Sequence, residues 1–157
     1  MVEIGVPGLS SEAEQEVAAE LQDLLVDFTA LALNGKQAHW HVTGRLFVPL
    51  HEQLDAIVND ARAWADLVAE RAVTLGAPVD GRPSTVAETT RVTPFQAGFV
   101  DDEKVVRLVV EELTEVAERT RSAVQRLGDL DLVSQDLLIE ILRALEKHLW
   151  MLQAQVG

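Results

Sequence analysis

Residues 47–75 read FVPLHEQLDAIVNDARAWADLVAERAVTL. Wound as an α-helix, this stretch has two distinct faces. Leu50, Leu54, Ile57, Ala61, Val68, Ala72 and Leu75 recur at helical spacing and make one apolar stripe. With His51 as origin, Asp55 falls at about 40°, Asp66 at about 60° and Glu70 at about 100°, on a second stripe centred roughly 130° from the first. One face builds a core; the other presents imidazole and carboxylate.

Asp55 and Asp66 are separated by about 16 Å along the helix axis, too far to share one ion. Their positions are nevertheless mirrored. His51 and Glu70, like Asp55 and Asp66, stand at equal distances on either side of a point between Asp60 and Ala61. Two antiparallel copies of the helix, related by a two-fold axis at that point, set His51 level with the partner's Glu70 and Asp55 level with the partner's Asp66. The spacing therefore predicts an isologous dimer with two shared metal sites. Asn59 and Arg62 are mirrored in the same way and are expected at the axis.

The turn Val42-Thr43-Gly44-Arg45 separates this helix from an earlier amphipathic stretch, and His39 and His51 are equidistant from Arg45. In an αα-hairpin they sit at one height on adjacent helices. Each complete site then draws His39, His51 and Asp55 from one subunit and Asp66 and Glu70 from its mate.

The 157 residues are enough for a single domain, 1–157, with a substantial core and no metal or disulfide support. Cysteine is absent, which removes disulfides, thiolate metal sites, iron–sulfur clusters and thiol nucleophiles. Tyrosine is absent too, so the aromatic redox candidates are Trp40, Trp64 and Trp150. Met1-Val2-Glu3-Ile4 lacks the basic start and apolar run of a secretory signal, and no segment has the length of a transmembrane helix. A cytoplasmic protein without a membrane partner is the expectation. Net charge is −13, and residues 1–35 hold seven acidic side chains with no Lys or Arg; none follows Lys147 either. Neither end offers a basic arm for phosphates, which argues against nucleic acid and favours cations.

Ser11 and Glu14 have capping-box spacing, and Val17, Leu21, Leu24, Phe28 and Leu31 follow at gaps of four and three. After an extension over residues 1–10, a first helix runs from about 11 to about 42, and the second from about 47 to about 75, with Gly76 and Pro78 as stop signals. Residues 76–101, rich in Gly and Pro, form the one long connection, in which Ser84 to Glu88 suit a short helical turn. Val105 to Leu127 mark a third helix that breaks at Gly128, and Leu138 to Leu152 mark a fourth, capped near Asp131 to Ser134. No strand pattern competes. Short, long and short connections imply an all-α, ferritin-like four-helix bundle with one crossover.

Two imidazoles and three carboxylates suit iron, and the same set accepts manganese, zinc or cobalt. Carboxylates stabilise ferric iron, and so few protein ligands leave positions open for oxygen or peroxide. A ferritin site inside one bundle needs Glu-x-x-His pairs. Here the residues three before the four histidines are Lys36, Ala38, Val48 and Leu145, so the two-fold site is favoured.

His39-Trp40, His51-x-x-x-Asp55 and Asp66-x-x-x-Glu70 resemble, interval for interval, the ferroxidase signature of the Dps miniferritins, the DNA-binding proteins from starved cells. The likeness continues through Asp66 to Arg71, Leu75-Gly76, Asp131 to Leu138 and Leu145 to Trp150. It implies a hollow homo-dodecamer that oxidises Fe(II) at two-fold interfaces, preferably with hydrogen peroxide, and stores ferric mineral in its cavity. His39, His51, Asp55, Asp66 and Glu70 are then the ferroxidase residues, with Trp40 beside them to intercept stray oxidising equivalents. Asp131, Asp136 and Glu140 correspond to the region where relatives line a three-fold pore with carboxylates; Asp131 has a second reading as a helix cap. His41 stands where the family often has Asn and reads as a surface residue, His148 as packing or surface, and Trp64 as packing.

Twelve copies of −13 give a shell of about −156, which repels duplex DNA. Protection of DNA is therefore expected to be chemical. Two other readings compete with the ferroxidase: a DNA-condensing nucleoid protein, which calls for a basic tail or patch, and a passive divalent-metal buffer for zinc or manganese, with the same ligands and no turnover.

Overall fold

The computed structural model describes residues 4–155. Met1, Val2 and Glu3 of the amino-terminal stretch read above, and Val156 and Gly157, lie outside the described residues. Helix α1 spans Ser11–His41, strand β1 Val42–Thr43, α2 Phe47–Thr74, α3 Pro83–Thr89, strand β2 Val100–Asp101, α4 Asp102–Leu127 and α5 Leu132–Gln153. The short connections pair α1 with α2 and α4 with α5, and the crossover containing α3 joins the pairs. The expected four-helix bundle with one crossover is what forms. No helix among the described residues is long and apolar enough to cross a membrane.

Two local expectations are corrected. The cap of α1 is Ser10, not Ser11: its backbone is extended and its hydroxyl accepts from the Ala13 N–H at 3.2 Å. Glu14 does not reach the cap either; its Oε1 accepts from the Val6 N–H at 3.3 Å and so fastens the incoming chain. The second correction is a strand pair where none was read. Val42 and Thr43 lie parallel to Val100 and Asp101, clipping the α1–α2 turn to the end of the crossover. Two residues are too few to show a period.

The apolar stripe of α2 is buried, from Leu50, Leu54 and Ile57 through Ala72, and it meets Val17, Leu21, Leu24, Phe28 and Leu31 of α1. Gly35 lets the two helices approach, since a Cβ there would stand 2.7 Å from Val58 Cγ2. Trp64 packs edge-on against Phe28, with ring centroids 5.7 Å apart. Gly76 ends α2 with φ +83°, and the Ala77 N–H returns to the Ala72 carbonyl at 3.1 Å.

The crossover is held by three polar side chains of α1. Gln22 exchanges a pair of hydrogen bonds with the backbone of Asp80, both at 2.9 Å. Asp27, fully buried, accepts from Thr90, from the Arg91 backbone and from the guanidinium groups of Arg91 and Arg119. Asn34 donates to the Thr93 carbonyl and to Glu112 Oε1, both at 2.8 Å, and accepts from the Phe95 N–H. A buried carboxylate needs such partners; Asp27 thereby locks α1, the crossover and α4 together.

Candidate metal site

The α1–α2 turn sets the register of the site. Gly44, at φ +127°, is where the chain reverses, and Asp102 at the start of α4 accepts from the Leu46 N–H at 2.7 Å. This register places His39 directly beside His51. Nδ1 of His39 lies 2.8 Å from the His51 carbonyl oxygen, and Nδ1 of His51 lies 2.9 Å from the His39 carbonyl oxygen. The rings stack at 3.6 Å, and Phe47 covers His51 at a centroid distance of 5.1 Å.

A carbonyl oxygen only accepts, so each Nδ1 must donate a hydrogen. In the neutral ring that leaves the lone pair on Nε2, the tautomer a metal requires. Both imidazoles are thus oriented by backbone carbonyls as ligands with one free nitrogen each.

Asp55, one turn beyond His51, lies 3.7 Å from His39 Nδ1 through Oδ1. The same oxygen accepts from Lys36 Nζ at 2.5 Å. That hydrogen bond holds the Asp55 carboxyl below the ordinary carboxylate range against the opposing effect of desolvation, with lesser help from His39, the Lys36 charge and His51. Sequence reasoning noted Lys36 only as a missing glutamate. The signal was available, because Lys36 and Asp55 lie nine and ten residues from Arg45 and so meet across the hairpin.

Asp66 and Glu70 are exposed one turn apart on α2, in the half of the helix beyond Asp60. Glu70 is followed by Arg71, whose guanidinium donates to Ser134 Oγ at 2.9 Å and to Asp131 Oδ2 at 2.7 Å, docking this end of α2 on α5. Among the described residues, no three His, Asp or Glu side chains of one chain converge to hold an ion. The structure stacks His39 on His51 and sets Asp55 between Lys36 and His39, while Asp66 and Glu70 are exposed further along α2.

The remaining candidates sort clearly. Trp40 adjoins His39 in sequence and is largely exposed. Asp131 is the cap of α5: it accepts from the Val133 and Ser134 N–H groups as well as from Arg71, and its carboxyl is held low by Ser134 and Arg71 in spite of burial. Both its oxygens are engaged in the cap and in the pairing with Arg71. Asp136 and Glu140 are exposed on α5. His41 Nδ1 bonds to the Gln37 carbonyl and its ring leans on Phe99. His148 is buried, donating through Nε2 to Asp60 at 2.6 Å and accepting at Nδ1 from Gln53 at 3.0 Å, which makes it a packing residue between α5 and α2.

One titratable group was missed altogether. Burial pushes the Glu112 carboxyl up to about 8; Glu115 adds to the rise, while Asn34 and Arg119 oppose it. Its neighbours Glu111 and Glu115 line the same pocket beneath Thr93 to Gln96 but are exposed, whereas Glu112 is half-buried and accepts from Asn34.

The chain matches the ferritin-like domain over residues 18–157. It is 37% identical over 158 residues to the DNA protection during starvation protein of Mycolicibacterium smegmatis, covering 99% of this chain and 85% of the relative. It is 34% identical to the DNA protection during starvation protein 2 of Deinococcus radiodurans, of whose length it spans 62%. Among solved structures, Mycobacterium smegmatis Dps superposes with a TM-score of 0.93 at 35% identity, over 99% of this chain and 94% of that one. Dps from Microbacterium arborescens in its high iron form superposes with a TM-score of 0.90 at 37% identity, over 99% of both chains. With the bundle, the crossover and the paired histidines in place, the chain belongs to the Dps family of ferritin-like proteins.

Proposed function

We propose that the protein is an iron-storage and detoxification miniferritin that oxidises Fe(II), preferably with hydrogen peroxide, in pockets shared across a two-fold dimer interface. The supporting observation is the reciprocal bonding of His39 and His51 to each other's carbonyls, which leaves both Nε2 atoms free, with the ionised Asp55 3.7 Å from His39 Nδ1. The mirrored placement of Asp66 and Glu70 supplies the missing ligands from the partner. Iron is the substrate: two ferrous ions each give one electron to one peroxide, whose O–O bond breaks to two hydroxides, and the ferric product hydrolyses to mineral. Both Fenton reactants are consumed together. Zinc or manganese fits the same ligands as a competitor.

Trp40, beside His39, is the residue suited to intercept stray oxidising equivalents. Assembly as a dodecameric cage gives the mineral a cavity, with Asp131, Asp136 and Glu140 as candidate pore acids that draw in cations. A shell of about −156 keeps duplex DNA away, so protection acts through chemistry and not condensation. Stopped-flow absorbance after mixing ferrous iron and peroxide tests the assignment. Asp66→Ala, still assembled, is expected to lose the fast phase; an unchanged rate refutes the site.

A further inference from the structure

Helix α2 carries His51, Asp55, Asp66 and Glu70, yet it has no cap of its own. Its N-cap position is Leu46, whose side chain accepts nothing, and its first turn holds no acidic residue. The backbone donors at a helix start call for an acceptor and favour negative charge. Asp102, 56 residues away at the start of α4, supplies both. Its Oδ2 accepts from the Leu46 N–H at 2.7 Å, while Oδ1 accepts from the Glu103 N–H at 2.9 Å. Helix α4 is capped by a different residue, Asp101, which accepts from the Lys104 N–H at 3.0 Å. Two adjacent aspartates therefore serve two different helices. The turn is shaped to admit the second one: a Cβ on Gly44 would stand 2.3 Å from Asp102 Oδ2, and the pairing of Val42 with Val100 and of Thr43 with Asp101 brings the start of α4 alongside.

From Leu46 the constraint passes to the pocket through one residue. Phe47 donates its N–H to the Gly44 carbonyl at 3.3 Å, and its ring stacks on His51, one turn later, at 5.1 Å. We propose that Asp102 is a positioning residue for metal binding, pinning the start of α2 from α4 and so holding Phe47 and His51 at the height where His51 and His39 exchange hydrogen bonds. This rests on the shared-site reading above. Asp102 acts through the backbone of Leu46 and not as a ligand.

The test is anaerobic titration of the intact protein with Co(II), following heat and visible absorbance, for the wild type, D102A, D102N, D102E, D101A and D66A. D102A is expected to raise the Kd by about fivefold or more and to change the visible bands of bound Co(II) as an imidazole is displaced. D102N keeps an oxygen for the Leu46 N–H and is expected to restore both Kd and spectrum. D102E keeps the charge but carries it one methylene too far, so it is expected to bind as D102A does and decides the matter if D102A fails to fold. D101A removes the cap of α4 at comparable cost to stability, yet is expected to stay within about twofold of the wild-type Kd. Equal weakening by D101A and D102A, or wild-type binding by D102A and D102E, overturns the role of Asp102; if D66A abolishes binding in the same series, the shared site stands. If D66A binds as the wild type does while D102A is weakened, the shared site falls and Asp102 keeps its role toward the histidine pair.

Discussion

His39 and His51 each direct Nδ1 at the other's backbone carbonyl, at 2.8 Å and 2.9 Å, across the hairpin that joins α1 to α2. The two rings are locked as a pair by backbone atoms alone. Their tautomers are therefore set by the helix register and not by any side chain that mutation or solvent can displace.

Shared pockets predict complementation. His51→Ala and Glu70→Ala proteins are each inactive, yet a hybrid dimer has one pocket with both residues intact. Random reassociation of equal amounts makes half of the dimers hybrid, so about one quarter of the wild-type oxidation rate returns. Stopped-flow kinetics on the mixed protein measures it; a mixture as inactive as its parents places all ligands within one chain.

The hairpin turn should govern the site. Gly44→Ala puts a Cβ at φ +127° and 2.3 Å from Asp102 Oδ2, displacing the carboxylate that holds the Leu46 N–H. A cost of about 2 kcal/mol is expected, together with weaker Co(II) binding as the histidines lose register. Calorimetric unfolding and metal titration check the two effects.

Asp27 predicts a large stability effect far from the metal. Asp27→Ala leaves Arg91 and Arg119 without their common carboxylate and frees the crossover at Thr90 and Arg91. Breaking a buried ion pair by removing one partner costs about 3 kcal/mol or more, which for a chain of this size lowers Tm by about 6 °C or more. Scanning calorimetry decides; a shift below about 2 °C shows that solvent replaces the carboxylate.

Glu112 makes stability depend on pH in a defined direction. Its carboxyl titrates at about 8 in the fold against 4.5 in the unfolded chain. Between those values the fold keeps a proton that the unfolded chain has released, so its contribution is complete below pH 4.5 and is lost as pH rises through 8. Glu112→Gln keeps an amide oxygen for Asn34 and removes the titration. The variant should therefore gain on the wild type steadily from pH 5 to pH 8, read as the difference between their urea midpoints. Parallel curves contradict the assignment.

Much of this was legible beforehand because the helices are long and strongly periodic. Val105 and Leu127, like Leu138 and Leu152, mark their helices in the sequence and are buried. The five ligand candidates stood out in the sequence because His51, Asp55, Asp66 and Glu70 are spaced symmetrically about Asp60 and Ala61, and His39 and His51 about Arg45. What escaped depends on contacts between segments distant in sequence. Asp27 sits in an apolar run and finds its arginines 64 and 92 residues away; Glu112 is shielded by a loop with no period; the Val42–Val100 pairing joins residues too few to form a pattern. Ser10 in place of Ser11 is a one-residue ambiguity that only backbone angles resolve.

The central claim is that each pocket is completed by a second chain, and an anomalous-difference map of crystals soaked in ferrous iron tests it most directly. The account predicts a peak on the two-fold interface, bonded to Nε2 of a histidine of the His39–His51 pair and to Asp55 of one chain, with the partner's Glu70 and the partner's Asp66 on its other side. A peak whose ligands all come from one chain, or strong iron peaks with none at these residues, would contradict it.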